Sequence, residues 1–76
     1  MSALNSLAYF YELGKGGLPG DLTRAAVLYQ IAAEGGDPYA QRNLGRFYQQ
    51  GLGGLPKDPT LAKKWTNKAT AQGLIN

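Results

Sequence analysis

The sequence contains neither cysteine nor histidine among its 76 residues, and these two absences narrow what the chain can do. Without cysteine there is no disulfide and no thiol nucleophile, and without histidine there is no imidazole metal ligand and no usual general base. Hydrolytic and metal-dependent chemistry are therefore disfavoured, and no metal or other cofactor is expected. The missing cysteine assigns no redox compartment, since a cysteine-free chain is stable in either.

Long hydrophobic runs are missing as well. No apolar stretch approaches the roughly 20 residues that a membrane span requires, and residues 1–13 lack the basic start and apolar centre of a signal peptide. The chain as it stands is thus expected to be cytoplasmic, whereas a segment excised from a longer protein could be periplasmic or exported. A chain this short buries only about 60% of its unfolded surface on folding, so its stability should be marginal.

The formal net charge of +3 is unevenly distributed. Residues 3–39 contain two basic and four acidic side chains, whereas residues 40–76 contain six basic side chains and one acidic one, which gives net charges of −2 and +5. The lysines that an anionic partner would meet in the second half are Lys57, Lys63, Lys64 and Lys68. Nucleic-acid binding is nonetheless disfavoured, because no dense basic cluster alternates with stacking aromatic residues.

What the chain does contain is an internal repeat. Residues 14–23, GKGGLPGDLT, return without insertion as residues 51–60, GLGGLPKDPT, thirty-seven positions later. Aligning residues 3–36 with residues 40–73 gives fourteen identities in thirty-four positions. A loop that returns at a fixed spacing indicates a repeat protein.

Each copy has the residue pattern of two helices. Apolar residues recur at i, i+4, i+7 and i+8, which predicts a helix A with one inward stripe. That stripe is Ala3, Leu7, Phe10 and Tyr11 in the first copy and Ala40, Leu44, Phe47 and Tyr48 in the second. Aspartates at 21, 37 and 58 are suited to cap helices, and glycines end them. The predicted helices span 4–13, 22–34, 38–50 and 59–72.

The second helix of each copy, helix B, is predicted to pack through small residues. Its inward face is Ala25, Leu28 and Ala32 in the first copy and Ala62, Trp65 and Ala69 in the second. The first helix B is apolar on nearly every side, which favours neighbours on both flanks, whereas the second has a lysine-rich outer face typical of a terminal helix. We further predict that Leu18 and Leu55, which lie in otherwise polar loops, pack beneath the helical hairpins. Leu74 and Ile75 are predicted to fold back over the last hairpin.

The second copy resembles the Sel-one-like repeat family. The matching residues, in order, are Ala40, Asn43, Leu44, Gly45, Phe47, Tyr48, Gly51, Gly53, Asp58, Ala62, Trp65, Lys68, Ala69, Gln72 and Gly73. The first copy is a looser member, with Ala8 at the position of Gly45 and Leu28 at that of Trp65. The resemblance implies an all-α fold, an α/α superhelix (solenoid) of two helix-turn-helix repeats with four antiparallel helices, similar to tetratricopeptide repeats. The two repeats would span 3–39 and 40–76 of a single domain, 1–76, whether complete or cut from a longer array.

The resemblance also implies a function. Such modules act as adaptors or scaffolds that hold protein partners on a concave face lined by the A helices, often in bacterial signalling, envelope biogenesis or secretion, and they are not enzymes. The residues agree with this, since the three aspartates are assigned to caps and only Glu12 and Glu34 remain, with no reason to pair. The glycine-rich loop lacks the lysine and hydroxyl spacing of a phosphate-binding loop.

Candidate partner-binding residues follow from the helix geometry. Once the inward stripe is assigned, each A helix has one further stripe that points outward. It consists of Asn5, Tyr9 and Glu12 in the first copy and Arg42, Arg46 and Gln49 in the second. We predict that these residues form a groove that binds a peptide, loop or helix of a partner protein, although an ordinary solvated face remains the alternative.

Tyr9 and Leu13 form an apolar pair where the second copy has Arg46 and Gln50. Three explanations remain open for this pair: contact with a preceding repeat, a self-association surface, or an anchor for a ligand. Two repeats are fewer than the three or so that usually fold independently, and the opposite charges of the two halves favour a homodimer, head-to-tail or antiparallel. A self-associating structural repeat is therefore the alternative function.

Overall fold

Residues 2–14 and 20–74 are described by the computed structural model of the chain. They form four helices and no strand: α1 Ala3–Leu13, α2 Leu22–Glu34, α3 Pro38–Gln50 and α4 Pro59–Ala71. The predicted all-α fold of two helix-turn-helix repeats is confirmed. The predicted helix bounds agree with the structure to within one residue.

Three of the helices are preceded by a capping aspartate, as predicted. The side chains of Asp21, Asp37 and Asp58 each accept a hydrogen bond from a backbone N–H in the first turn that follows, which satisfies a donor that has no partner within the helix. Gly14 and Gly51 end α1 and α3 in the left-handed conformation, with φ angles of 71° and 68°. These local signals explain why the helix bounds can be predicted from the sequence alone.

The core lies where α2 and α3 meet. Its largest fully buried side chains are Tyr29, Phe47 and Leu44, and the rings of Tyr29 and Phe47 pack edge to face with centroids 5.2 Å apart. The remaining core is made largely of alanines, including the predicted Ala25, Ala32 and Ala62, and the predicted Ala69 is buried as well. Leu28, Leu55 and Trp65 are partly buried against this core. The small side chains allow the helix backbones to approach closely.

Gly45 shows how close that approach is. A Cβ atom at this position would lie 2.6 Å from Thr66 Oγ1 and 3.0 Å from the carbonyl oxygen of Ala62. Both distances are shorter than van der Waals contact, so the spacing of α3 and α4 depends on the missing side chain. The corresponding residue of the first repeat, Ala8, is fully buried.

The A helix of the first repeat departs from the predicted burial. Leu7 and Phe10 are 38% and 44% exposed, whereas the equivalent Leu44 and Phe47 are fully buried. The reason is that α3 packs between α2 and α4, while α1 packs chiefly on α2. In the part of the chain that the structure describes, no helix covers the other side of α1.

The predictions for the outer side of α2, the loop leucines and the C-terminal end had different outcomes. Val27 and Ile31 of α2 are 53% and 50% exposed, so the apolar outer side of this helix is not flanked as predicted. The predicted folding of Leu74 over the last hairpin stays a prediction; the Leu74 N–H donates a hydrogen bond to the Ala69 carbonyl at 3.2 Å. The predictions for Leu18 and Ile75 lie outside the described residues. Among residues 2–14 and 20–74, no helix has the length and hydropathy that crossing a bilayer requires.

Candidate functional site

Glu12 joins the two repeats through a network of charged hydrogen bonds. The guanidinium of Arg46 donates to both of its carboxylate oxygens, from Nη1 to Oε2 at 2.7 Å and from Nη2 to Oε1 at 2.8 Å. The Tyr29 hydroxyl donates to Oε1 at 2.8 Å. Three helices therefore meet at one carboxylate, and a bidentate pair of this kind fixes orientation as well as charge.

The network shifts the pKa of each member. Burial acts to raise the pKa of Glu12, but the hydrogen bonds from Arg46 and Tyr29, together with the charge of Arg46, outweigh it and lower the pKa below its ordinary value. The hydrogen bond to Glu12 raises the pKa of Arg46. Burial and the bond to Glu12 raise the pKa of Tyr29. The carboxylate and the guanidinium therefore both stay charged around neutral pH.

A groove lies between α1 and α3, with a volume of about 200 Å³. We call it the A-helix groove, and its lining residues are Asn5, Tyr9, Tyr39, Arg42 and Asn43. At its base the Asn43 side chain donates a hydrogen bond to Asn5 Oδ1 at 3.1 Å. Asn5 is only 3% exposed, so the expectation that it points freely outward was wrong. It forms part of the contact between the repeats because α3 covers it.

A larger cavity of about 340 Å³ lies on the far side of α3. We call it the receiving face, and its lining residues are Arg42, Gly45, Arg46, Gln49 and Thr66. Four of these belong to α3 and one to α4, so the cavity opens at the end of the second repeat. Arg42 lines both cavities and connects them.

Arg42 and Arg46 have different surroundings, although both were predicted to line the same partner-binding groove. Arg46 is paired with Glu12, and its guanidinium also lies 5.3 Å from the Phe47 ring centroid. The guanidinium of Arg42 lies over the Tyr39 ring at 5.7 Å, and no described carboxylate lies within 4.0 Å of it. Arg42 is therefore the guanidinium of α3 whose charge is not matched by a described acidic residue.

The candidate residues thus separate into three groups. Asn5, Tyr9 and Arg42 line the A-helix groove, while Arg42, Arg46 and Gln49 line the receiving face. Glu12 lines neither cavity, and its side chain is only 12% exposed because it faces Arg46. Leu13 also lines neither cavity and is 45% exposed, as is Tyr9.

Three residues that sequence reasoning did not assign belong to these sites. Tyr29 is the largest fully buried side chain and donates a hydrogen bond to Glu12. The Tyr39 ring lies beneath the Arg42 guanidinium, and Thr66 lines the receiving face. A signal for Tyr29 was present, since it lies within residues 25–33, which are apolar except for Gln30, and is replaced by threonine in the second copy. Tyr39 follows the capping Asp37-Pro38 pair and carried no comparable signal.

The acidic residues do not assemble into a further site. In the described part of the chain there is no group of three or more acidic side chains placed to hold a metal ion. Every described buried side-chain nitrogen and oxygen has a hydrogen-bond partner. Within these residues, the polar groups of the interior therefore serve contacts between the helices.

Two equivalent helix pairs, stacked through α2 and α3 and clamped by Glu12 and Arg46, define an α/α solenoid built from repeats. The Sel1 repeat family matches residues 2–37 and 38–74, which together account for nearly the whole chain. The chain therefore belongs to the Sel1 repeat family. Sel1 repeats generally mediate protein–protein interactions, and the family is a non-catalytic repeat scaffold.

A solved structure shows the same architecture. The crystal structure of a Sel1 repeat protein from Oxalobacter formigenes matches this chain with a TM-score of 0.90 and 43% sequence identity over 95% of the chain. The chain spans about half of that protein, 53% of its length. Comparison with curated proteins gave no match.

Proposed function

We propose that the chain binds a segment of a partner protein in the A-helix groove, and that a carboxylate of the partner pairs with Arg42. The carboxylate belongs either to an acidic side chain or to the end of the partner chain. The observation that supports this proposal is the unmatched guanidinium of Arg42, which lies where the groove meets the receiving face.

The surroundings of Arg42 suit a charged hydrogen bond. Its guanidinium is held over the Tyr39 ring, and this contact restricts the side chain while its N–H groups remain directed to other partners. Arg42 is half-buried, and a charge pair in a partly desolvated groove is stronger than one on an open surface. An incoming carboxylate would therefore gain more from Arg42 than from the exposed lysines of α4.

The rest of the groove suits an apolar neighbour of that carboxylate. The rings of Tyr9 and Tyr39 line it together with the side chains of Asn5 and Asn43. Aromatic walls with a few fixed polar groups are typical of peptide sites, because the rings supply contact area at a low cost in side-chain entropy. Leu13 lies outside this cavity and is not part of the proposed groove.

The experiment is selection from a displayed random peptide library, followed by binding of the enriched peptides to variants. We expect enriched peptides to place a carboxylate beside an apolar or aromatic residue. Arg42→Gln should weaken their binding by about tenfold or more, because it removes a charge-assisted hydrogen bond. Peptides with free and amidated ends distinguish a terminal carboxylate from an acidic side chain.

Arg24→Gln is the matched control, since Arg24 lies on α2, is exposed and pairs with Asp21. It should leave peptide binding unchanged. Tyr9→Ser tests the groove itself without altering a charge. If the enriched peptides bind wild type, Arg42→Gln and Tyr9→Ser equally well, the A-helix groove is not the binding site.

A further inference from the structure

The contact between the two repeats provides a template for an interface. We call the surface on which α3 packs the seat, and it consists of Asn5 and Glu12 of α1 and Tyr29 of α2. The helix α3 is placed on it by three contacts: Asn43 with Asn5, Arg46 with Glu12, and Phe47 with Tyr29. The apolar stripe of α3, with Leu44 and Phe47, is fully buried as a result.

The counterpart of α3 in the first repeat is α1, and the equivalent stripe of α1 is partly exposed. Shifted by thirty-seven residues, the stripe of α3 becomes Ala3, Leu7 and Phe10 of α1, which we call the α1 apolar face. Leu7 and Phe10 are 38% and 44% exposed. The α1 apolar face contains no charged residue, so nothing but water has to be removed when it is buried.

The second repeat contains the counterpart of the seat, and no helix of the described residues covers it. By the same shift, Asn5, Glu12 and Tyr29 become Arg42, Gln49 and Thr66, and all three line the receiving face. Thr66 is much smaller than Tyr29, and the cavity of about 340 Å³ at this point is larger than the A-helix groove. There is consequently room for an aromatic ring above Thr66.

We propose that two copies of this chain associate head to tail, with the α1 apolar face of one copy seated on the receiving face of the other. Phe10 enters the cavity beside Thr66, in the place that Phe47 takes beside Tyr29. Tyr9 lies against Gln49, as Arg46 lies against Glu12. The seating continues within the pair the packing that already joins the two repeats.

Charge favours this orientation over the alternatives. The half that contains α1 has a net charge of −2 and the half that contains the receiving face has +5, so the opposite ends of two copies attract and steer each other. Pairing through two α1 helices or two receiving faces would bring like charges together. Because the interface is heterologous, each pair retains one free face of each kind and can add further copies.

The contact between copies is weaker than the contact between repeats. In α4, Lys63 and Thr70 stand at the positions of Ala26 and Ala33, which are buried in α2. Association is therefore reversible and depends on concentration. The interface and the proposed peptide groove share Arg42 and Tyr9, whereas the α1 apolar face and Thr66 belong to the interface alone.

The experiment is sedimentation velocity over a range of protein concentrations, with one variant for each face. Phe10→Lys places a positive charge on the α1 apolar face, and Thr66→Lys places one in the receiving face. Each variant alone should weaken association by about tenfold or more, because burying an ammonium group beside the unmatched guanidinium of Arg42 is unfavourable. An equimolar mixture of the two should form heterodimers, since each variant retains the face that the other lacks.

Val27→Lys is the matched control, because Val27 is a similarly exposed apolar residue on the outer side of α2, and it should associate like wild type. Circular dichroism checks that each variant is folded. If either fails to fold, Leu7→Lys and Gln49→Arg test the same two faces. A wild-type chain that stays monomeric, or a mixture that forms no heterodimer while Thr66→Lys alone still dimerises, would overturn the head-to-tail arrangement.

Discussion

At the scale of single residues, Glu12 has the most consequential position in the chain. Sequence spacing alone places it on the outer stripe of α1, where an acidic side chain would be solvated. Instead it accepts hydrogen bonds from Arg46 and Tyr29, and its side chain is 12% exposed. The two repeats thus meet at a charged pair, which is stabilising only while both partners are present.

Replacing Glu12 by Gln should destabilise the chain by about 1 to 3 kcal/mol at neutral pH, because the charge-assisted hydrogen bonds from Arg46 are lost. The Arg46 side chain is 36% exposed, so solvent screening places the expected value in the lower half of that range. The free energy of unfolding from urea titration measures the change. A double-mutant cycle with Arg46→Gln should give a coupling energy clearly different from zero.

The same pair should make stability depend on pH. The pKa of Glu12 is lower in the folded chain than in the unfolded one, so its contribution is fully present above the unfolded pKa and is lost as the pH falls through the folded pKa. Stability should therefore decrease below about pH 5 in wild type and less steeply in Glu12→Gln. The pKa of Asp37 is also lowered, so the stability of Glu12→Gln should still decrease to some extent as the pH falls. Equal slopes for the two proteins would contradict this role of Glu12.

At the scale of elements, the two A helices show that one pattern can have two environments. Both have the same apolar stripe, yet α3 is enclosed by α2 and α4 while α1 is not. Within a repeat, the helical period defines which residues share a face. Which faces are covered depends on the next element along the array.

This difference predicts unequal effects of equivalent mutations. Leu44→Ala should cost about 2 to 5 kcal/mol, because it leaves a cavity in a fully buried site. Leu7→Ala should cost about 1 kcal/mol or less, since Leu7 is already 38% exposed. Urea titration at low protein concentration compares the two, and Phe47→Leu with Phe10→Leu provides a milder pair. Equal losses at positions 7 and 44 would show that α1 is covered in solution.

Local signals account for what could be predicted of the fold. The aspartate caps and the terminal glycines mark the helix ends directly in the sequence, and the thirty-seven-residue shift defines the repeat. The burial of Tyr29 could not be derived in the same way. Its ring points between the repeats, and the contact with Phe47 depends on how α2 and α3 cross.

The candidate site was predicted less completely for the same reason. Spacing predicted a single groove for these residues, whereas the structure places Tyr9 and Arg42 in one cavity and Arg42 and Gln49 in another. It did not reveal that Arg46 is neutralised by Glu12, because these residues lie in different repeats. A charge can be counted from the sequence, but whether it is paired depends on how the repeats stack.

At the scale of the whole molecule, contacts run mainly between helices that follow each other in the chain. In such an array each element is stabilised by its neighbours, so the inner elements are the most stable and the ends are the least. Here α2 and α3 are the inner helices. The ends, α1 and α4, carry the α1 apolar face and the exposed lysines.

Amide hydrogen exchange should therefore be slowest in α2 and α3 and faster in α1 and α4, where local opening requires less free energy than global unfolding. Mass spectrometry of peptic fragments measures this at a protein concentration where the chain is monomeric. Glu12→Gln should accelerate exchange in α1 more than in α4, because it removes the clamp between α1 and α3, whereas Glu34→Gln, at an exposed position of α2, should change neither. Raising the concentration should protect α1 and α4 together if copies stack head to tail. Uniform exchange across the four helices would mean instead that the two repeats unfold as one unit, with no weaker ends for a second copy to stabilise.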